Sequence, residues 1–309
     1  MTRIPSPWAA PLILILLGFV WGSSFILMKL GLFTSSGEPL FPPIELAALR
    51  MTIAGLTLLP ISLRHFKGVS RDQWKWIATV GFVGSLIPAM LFATAQTHLP
   101  SAMAGMLNAL SPLWTLLIGV LIFGAPLRKN QIIGIILGLL GTAWLIRAQN
   151  MHGASISEVE QEAQFIVPSL MLVLATVCYG VSVNVTREKL QGLRSPLIAA
   201  CSLGLIAIPS SIILVSGEVP HLILTHEDGM KGLGAVVVLA AIGTAGALVL
   251  FNQLIAWTNA VTAASVTYII PVFAAMWGWW DGEVLTVQHL MAGGCILLGV
   301  WITNRGRKR

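Results

Sequence analysis

The sequence predicts an all-α integral membrane protein: ten transmembrane helices forming two inverted five-helix repeats, with both termini cytoplasmic. Three observations predict this. First, of 309 residues 56% are hydrophobic and only 10% are charged, against about 25% charged in a typical soluble domain. Second, the apolar residues come in unbroken runs about twenty residues long, the length a helix needs to cross hydrocarbon, and not in alternating ten-residue strands. Third, the remaining charges are sorted by side, as described below.

Taken in order, the runs place spans near 10–32, 42–63, 74–97, 101–123, 130–147, 164–186, 196–215, 233–257, 260–280 and 287–304. Pro or Gly punctuates the short connections: THLPS at 97–101, GAPLRKN at 124–130 and DGE at 281–283, while WTNAV at 257–261 has neither. Residues 148–163 form the longest polar interval and divide the chain into five spans in 1–150 and five in 151–309, together one transport-sized unit.

Charge sets the orientation. With the N-terminus cytoplasmic, the inside segments hold Arg3, then Arg64, Lys67, Arg71 and Lys75, then Arg128 and Lys129, then Arg187, Lys189 and Arg194, then Arg305, Arg307, Lys308 and Arg309. The outside segments hold only Arg147 and Lys231. Nine of the acids lie outside: Glu38, Glu158, Glu160, Glu162, Glu218, Glu227, Asp228, Asp281 and Glu283. Such a bias in short loops is the positive-inside signal. The net charge of +6 therefore reflects topology. Basic residues spread over several loops make nucleic acid a poor partner.

Shifted by about 158 residues, the halves echo each other. Trp21-Gly22 falls on Tyr179-Gly180, Ser24 on Ser182, Lys29 on Arg187, Gly124 on Gly282 and Leu139-Leu140-Gly141 on Leu297-Leu298-Gly299; Pro112 meets Pro271 after a one-residue slip. Five spans per half is an odd number, so the second half must enter the membrane upside down. Inverted repeats of this kind build alternating-access carriers, with the site near the midplane between them.

Several stretches carry a family resemblance. WGSSFILMK in the first span, PPIELAALR (42–50), LNALSPLWTLLIGVLIFGAPL (107–127) followed by IIGIILGLLGTAWL, and TAASVTYIIPVFAAMWGWWDGEVLT (262–286) resemble EamA-type members of the drug/metabolite transporter superfamily. The resemblance covers nearly the whole chain. It implies the ten-helix inverted fold, a bacterial inner-membrane location, and export of amino acids or related metabolites.

The polar residues inside spans are the candidate site. A tryptophan facing lipid prefers the interface, which suits Trp8, Trp74, Trp76, Trp144, Trp279, Trp280 and Trp301 but not Trp21 in mid-span; Trp21 and Tyr179 are expected to wall a central cavity. Gly22, Ser23 and Ser24 serve helix packing as readily as a pocket. Pro112 and Pro271 each remove a backbone donor and free a carbonyl one turn earlier, with Asn108 and Ser111 before the first and Thr267 and Tyr268 before the second. Both prolines are candidate kinks or gates. Asn252 and Gln253 place amides in span eight, where they either read a zwitterion or meet water at the interface. Gln96 and His98 are expected to be solvated.

Lys29, Glu45 and Arg50 are the charges well inside spans. Lys29 either snorkels or reaches Glu45; Lys29 or Arg50 attracts a substrate carboxylate; Glu45 is a candidate for proton coupling. Glu45 and Arg50 lie about 140° apart around a helix and should not pair.

The expected function is thus secondary transport of a small molecule across the lipid bilayer, through a cavity lined by spans 1, 3, 4, 6, 8 and 9. No cofactor or metal is expected, a proton is the candidate coupling ion, and the chain is expected to act as a monomer or weak homo-oligomer. The alternative is a polyspecific exporter of drugs or hydrophobic compounds. Small members of the resembled superfamily use a first-span carboxylate for cations, whereas this span has Lys29 and no acid. An intramembrane enzyme or lipid-handling protein is disfavoured: Cys178, Cys201 and Cys295 stand singly, the histidines form no metal pair, and no nucleophile–base constellation occurs.

Overall fold

The computed structural model describes residues 8–150, 158–257, 263 and 265–305. Within them the chain is helical, with no strand beyond an isolated bridge between Phe33 and Pro39. In order the helices are α1 (Ala9–Leu32), α2 (Pro43–His65), α3 (Arg71–Gly81), α4 (Ile87–Ala95), α5 (Ser101–Asn108), α6 (Ser111–Leu121), α7 (Lys129–Asn150), α8 (Glu158–Lys189), α9 (Ser195–Ser216), α10 (Val219–Thr225), α11 (Gly229–Ala240), α12 (Ala247–Trp257), α13 (Val266–Trp280) and α14 (Val287–Arg305). Eight helical segments are long and apolar enough to cross a membrane, and Val266–Trp280 and Val287–Thr303 are shorter apolar helices.

Two of the long segments are continuous only because a π-helical turn joins their parts: Phe82–Leu86 between α3 and α4, and Ala241–Gly246 between α11 and α12. A third, 101–121, breaks at Ala109–Leu110 between α5 and α6. Here Pro112 differs from its expected role. It does not kink a running helix but sits in the first turn of α6, where a missing N–H costs nothing. Pro271 does lie inside α13.

Packing follows the repeat. α1 lies against α13 and against α11 and α12; α8 lies against α6 and against α3 and α4. The offset relates the first set to the second. α2 packs on α9 and α7 on α14; the offset maps the second pair onto itself, and one shorter by a few residues maps the first. The approaches are close where the sequence supplies glycine. A Cβ on Gly22 would lie 2.5 Å from Phe273 Cβ and 2.9 Å from the Ile270 carbonyl oxygen; one on Gly180 would lie 2.9 Å from backbone atoms of both Trp114 and Thr115. The Gly22 and Gly180 pair found by sequence alone therefore lets α1 and α8 seat on α13 and α6. Ser23 and Ser24 bond back to Phe19 and Val20 carbonyls, so WGSS is partly a packing motif.

Candidate functional site

A cavity of about 580 Å³ occupies the centre of the fold, within the size range of small-molecule sites. Trp21, Ser24, Asn108, Ser111, Tyr179 and Arg50 all line it. From there it runs along α3, α8 and α9 to Val80, Thr186 and the exposed Ser195, next in sequence to the basic segments at 71–75 and 187–194. Its walls come from more of the chain than expected: Met51 of α2 and Ile198, Ser202 and Leu203 of α9 contribute as well.

The second π turn builds one wall. The Trp21 indole Nε1–H donates to the Gly243 carbonyl at 3.0 Å, and Arg50 Nε donates to Thr244 Oγ1 at 3.2 Å. Thr244 in turn donates to Leu239 O. A π turn shifts the carbonyl register locally, so a helix can present acceptors sideways. The first π turn is its counterpart: Gly84 lies against Ser182 and Gly243 faces Ser24. Thus each turn meets the serine of the opposite half that the repeat offset pairs.

Aromatic rings form the rest of the wall. Trp21 tilts on Phe251 at 5.2 Å, Phe25 on Phe92 at 5.9 Å, and Phe92 stacks on Tyr179 at 6.2 Å. Arg50 is the one charged side chain among the described lining residues. Its terminal Nη groups make no hydrogen bond to a described residue, and no carboxylate is among the described lining residues.

Other expected site residues lie elsewhere. Gln253 and Tyr268 do not line the cavity; Tyr268 packs on the apolar core, and its neighbour Thr267 lines in its place. The Asn252 side chain lies outside the described residues. Gln96 is buried, not solvated: its Nε2 donates to Phe25 O at 3.0 Å, while His98 is exposed. Phe25, Phe92 and Phe251 were missed, because phenylalanine in an apolar run has no signal separating cavity from core. Ser182 and Thr244 were missed although the offset from Ser24 pointed to the first.

Lys29 and Glu45 do not meet. Lys29 Nζ pairs with Asp281 and, at 3.3 Å, with Glu283. Glu283, whose side chain is only 5% exposed, also accepts the N–H groups of Ser101 at 2.7 Å and Ala102 at 3.0 Å. α1, the first turn of α5 and the loop after α13 are thereby tied together at the acidic end. Glu45 instead accepts the N–H groups of Glu218 and Val219 at 2.7 and 2.9 Å, since the chain turns into α10 directly over it. Neither acid lines the cavity.

The model of the EamA-like transporter family matches residues 8–147 and again 167–305. The chain belongs to the EamA-like transporter family. It is a multi-pass inner-membrane protein of a family of transporters, not enzymes. Similar proteins include the uncharacterized inner membrane transporter YedA of Escherichia coli (strain K12), 26% identical over 93% of this chain and 88% of that one. A probable amino-acid metabolite efflux pump of Salmonella typhimurium is 24% identical over 93% and 92%. The aromatic amino acid exporter YddG of Ancylobacter novellus is 32% identical over 35% and 38%. A crystal structure superposes with a TM-score of 0.59 at 20% identity, covering 98% of this chain and all of that one, a likeness of fold. For this EamA-family chain, then, the central cavity is the candidate transport site.

Proposed function

We propose that the protein is a secondary exporter of amino acids or related small amphipathic metabolites, acting as a monomer or weak homo-oligomer. Its ten spans are the eight long helical segments plus α13 and α14, divided at 150/151 into two inverted five-helix repeats with both termini cytoplasmic. The two family matches and the offset-related packing pairs support that division. The conformation is inward-facing: the cavity reaches the basic end at Ser195 and is tied off at the acidic end by Lys29, Asp281 and Glu283. Alternating access then needs this tie to part while α3, α8 and α9 close.

One observation carries the reading. Arg50 lines an aromatic-walled cavity with a guanidinium whose only bond among the described residues is to Thr244, and a substrate carboxylate supplies the missing charge. Trp21, Phe251 and Tyr179 take the apolar part of the substrate, Asn108 and Ser111 its polar groups. The names of two relatives, a probable amino-acid metabolite efflux pump and an aromatic amino acid exporter, agree with this chemistry. A proton remains the candidate coupling ion. The apolar walls favour a second reading, polyspecific export of hydrophobic compounds.

Counterflow in proteoliposomes separates the two. Preloaded unlabelled amino acid should draw in labelled amino acid, and Arg50→Gln should abolish this. Movement of hydrophobic cations without amino acids would reverse the order of the readings.

A further inference from the structure

We infer that the preferred cargo is a monoanion, a carboxylate on an apolar body whose amino group is absent or blocked, and that the membrane potential drives its export. The inference rests on the exporter reading and narrows it. A zwitterion is matched most closely by two complementary charges, and the described cavity lining offers one. Arg50 is its single ion, and arginine stays protonated. The sequence, moreover, has no Asp or Glu between Asp228 and Asp281.

Several backbone carbonyls at the site already accept a side chain, which leaves an ammonium neutral side-chain acceptors such as the Asn108 amide and the Ser182 hydroxyl but no acid among the described lining residues. The Gly243 carbonyl takes the Trp21 indole, the Asn108 carbonyl takes the Ser111 hydroxyl, and the Phe25 carbonyl takes Gln96. An α-ammonium beside a carboxylate bound to Arg50 would face the guanidinium at close range in a site of low dielectric, where like charges repel strongly. A carboxylate alone neutralises Arg50 and leaves rings to cover the remainder. Since Arg50 stays with the protein, each cycle moves one net negative charge outward. At 100 mV, negative inside, that favours the outer compartment by about fifty-fold with no proton required.

The test uses the full chain in proteoliposomes with three compounds sharing one body: N-acetylphenylalanine, phenylalanine and phenylethylamine. N-acetylphenylalanine should move at least about ten-fold faster than either. Its final distribution should follow a potential imposed with valinomycin and potassium, and ignore a one-unit pH gradient. Arg50→Gln should abolish saturable movement, while Arg50→Lys, which keeps the charge, should retain part of it. Phenylalanine moving as fast as its N-acetyl form, or a distribution indifferent to potential, overturns the inference but leaves the exporter reading intact. Immobility of all three also overturns it. Only a failure of counterflow with every compound, amino acids and hydrophobic cations included, removes the exporter reading itself.

Discussion

Trp21 shows how one side chain serves wall and hinge together. Its ring borders the cavity beside Phe251, while its N–H holds the π turn through the Gly243 carbonyl. Trp21→Phe should keep the ring and lose the bond, worth about 1 kcal/mol. Substrate affinity should fall about five-fold, less than for Trp21→Ala, as read by equilibrium binding in detergent; equal losses would leave no role for the hydrogen bond. At the acidic end, Asp228 accepts the Ser35 backbone N–H at 2.8 Å and its hydroxyl at 3.0 Å. These bonds, with Lys231 and His226 nearby, hold the carboxyl below its usual 3.8. A depressed native value stabilises the contact above the ordinary carboxylate value, and that contribution is lost as pH falls through the lowered one. Hydrogen-exchange protection of the Ser35 amide should therefore hold from pH 8 to about 4.5 and drop only below about pH 4. Asp228→Asn should remove that pH step.

At the scale of elements, two features meet at the cavity: π turns in corresponding helices and glycine contacts between related helix pairs. The glycines permit backbone-to-backbone approach of α1 on α13 and of α8 on α6. Gly22→Val and Gly180→Val should each force helices apart and cost about 1–3 kcal/mol, the usual penalty for overpacking. Thermal shifts in detergent should fall for both variants by similar amounts. A large loss for one and none for the other would contradict the paired role. Gly243 differs, because a methyl there would meet only Ser24 Oγ at 3.3 Å and Leu239 at 3.5 Å, so Gly243→Ala should be tolerated.

For the whole molecule the question is which end opens. Glu283 is nearly buried and holds two backbone N–H groups and Lys29 at once. Removing the cation leaves that carboxylate short of a partner in a partly desolvated site. In a background with Cys178, Cys201 and Cys295 changed to Ser, a Met28→Cys probe should react slowly with an impermeant maleimide added outside, because Met28 is 2% exposed. Adding Lys29→Met should raise that rate several-fold. An unchanged rate would place the outer closure somewhere other than the Lys29 cluster.

Much of this was legible beforehand in the particulars of the chain. Unbroken apolar runs imposed helices, because hydrocarbon satisfies no backbone group and each span must bond internally. The spacing of Trp21-Gly22 and Tyr179-Gly180 marks the related contacts, and Trp21, Ser24, Asn108, Ser111, Tyr179 and Arg50 stand out in the sequence as polar or aromatic misfits in apolar surroundings. Other features were invisible there. Lys29 found Asp281 and Glu283 instead of Glu45, since pairing between charges some 250 residues apart depends on which helix ends converge. FVGSL and AIGTAG carry no proline or polar run to announce a π turn; that geometry is set by what packs on either side. The phenylalanines of the wall, the burial of Gln96 and the part taken by α9 likewise followed from three-dimensional neighbours. Hydropathy and charge act locally along a chain and set spans and sides. The shape of an internal cavity, and which donors within it stay unmatched, arise only when distant faces meet.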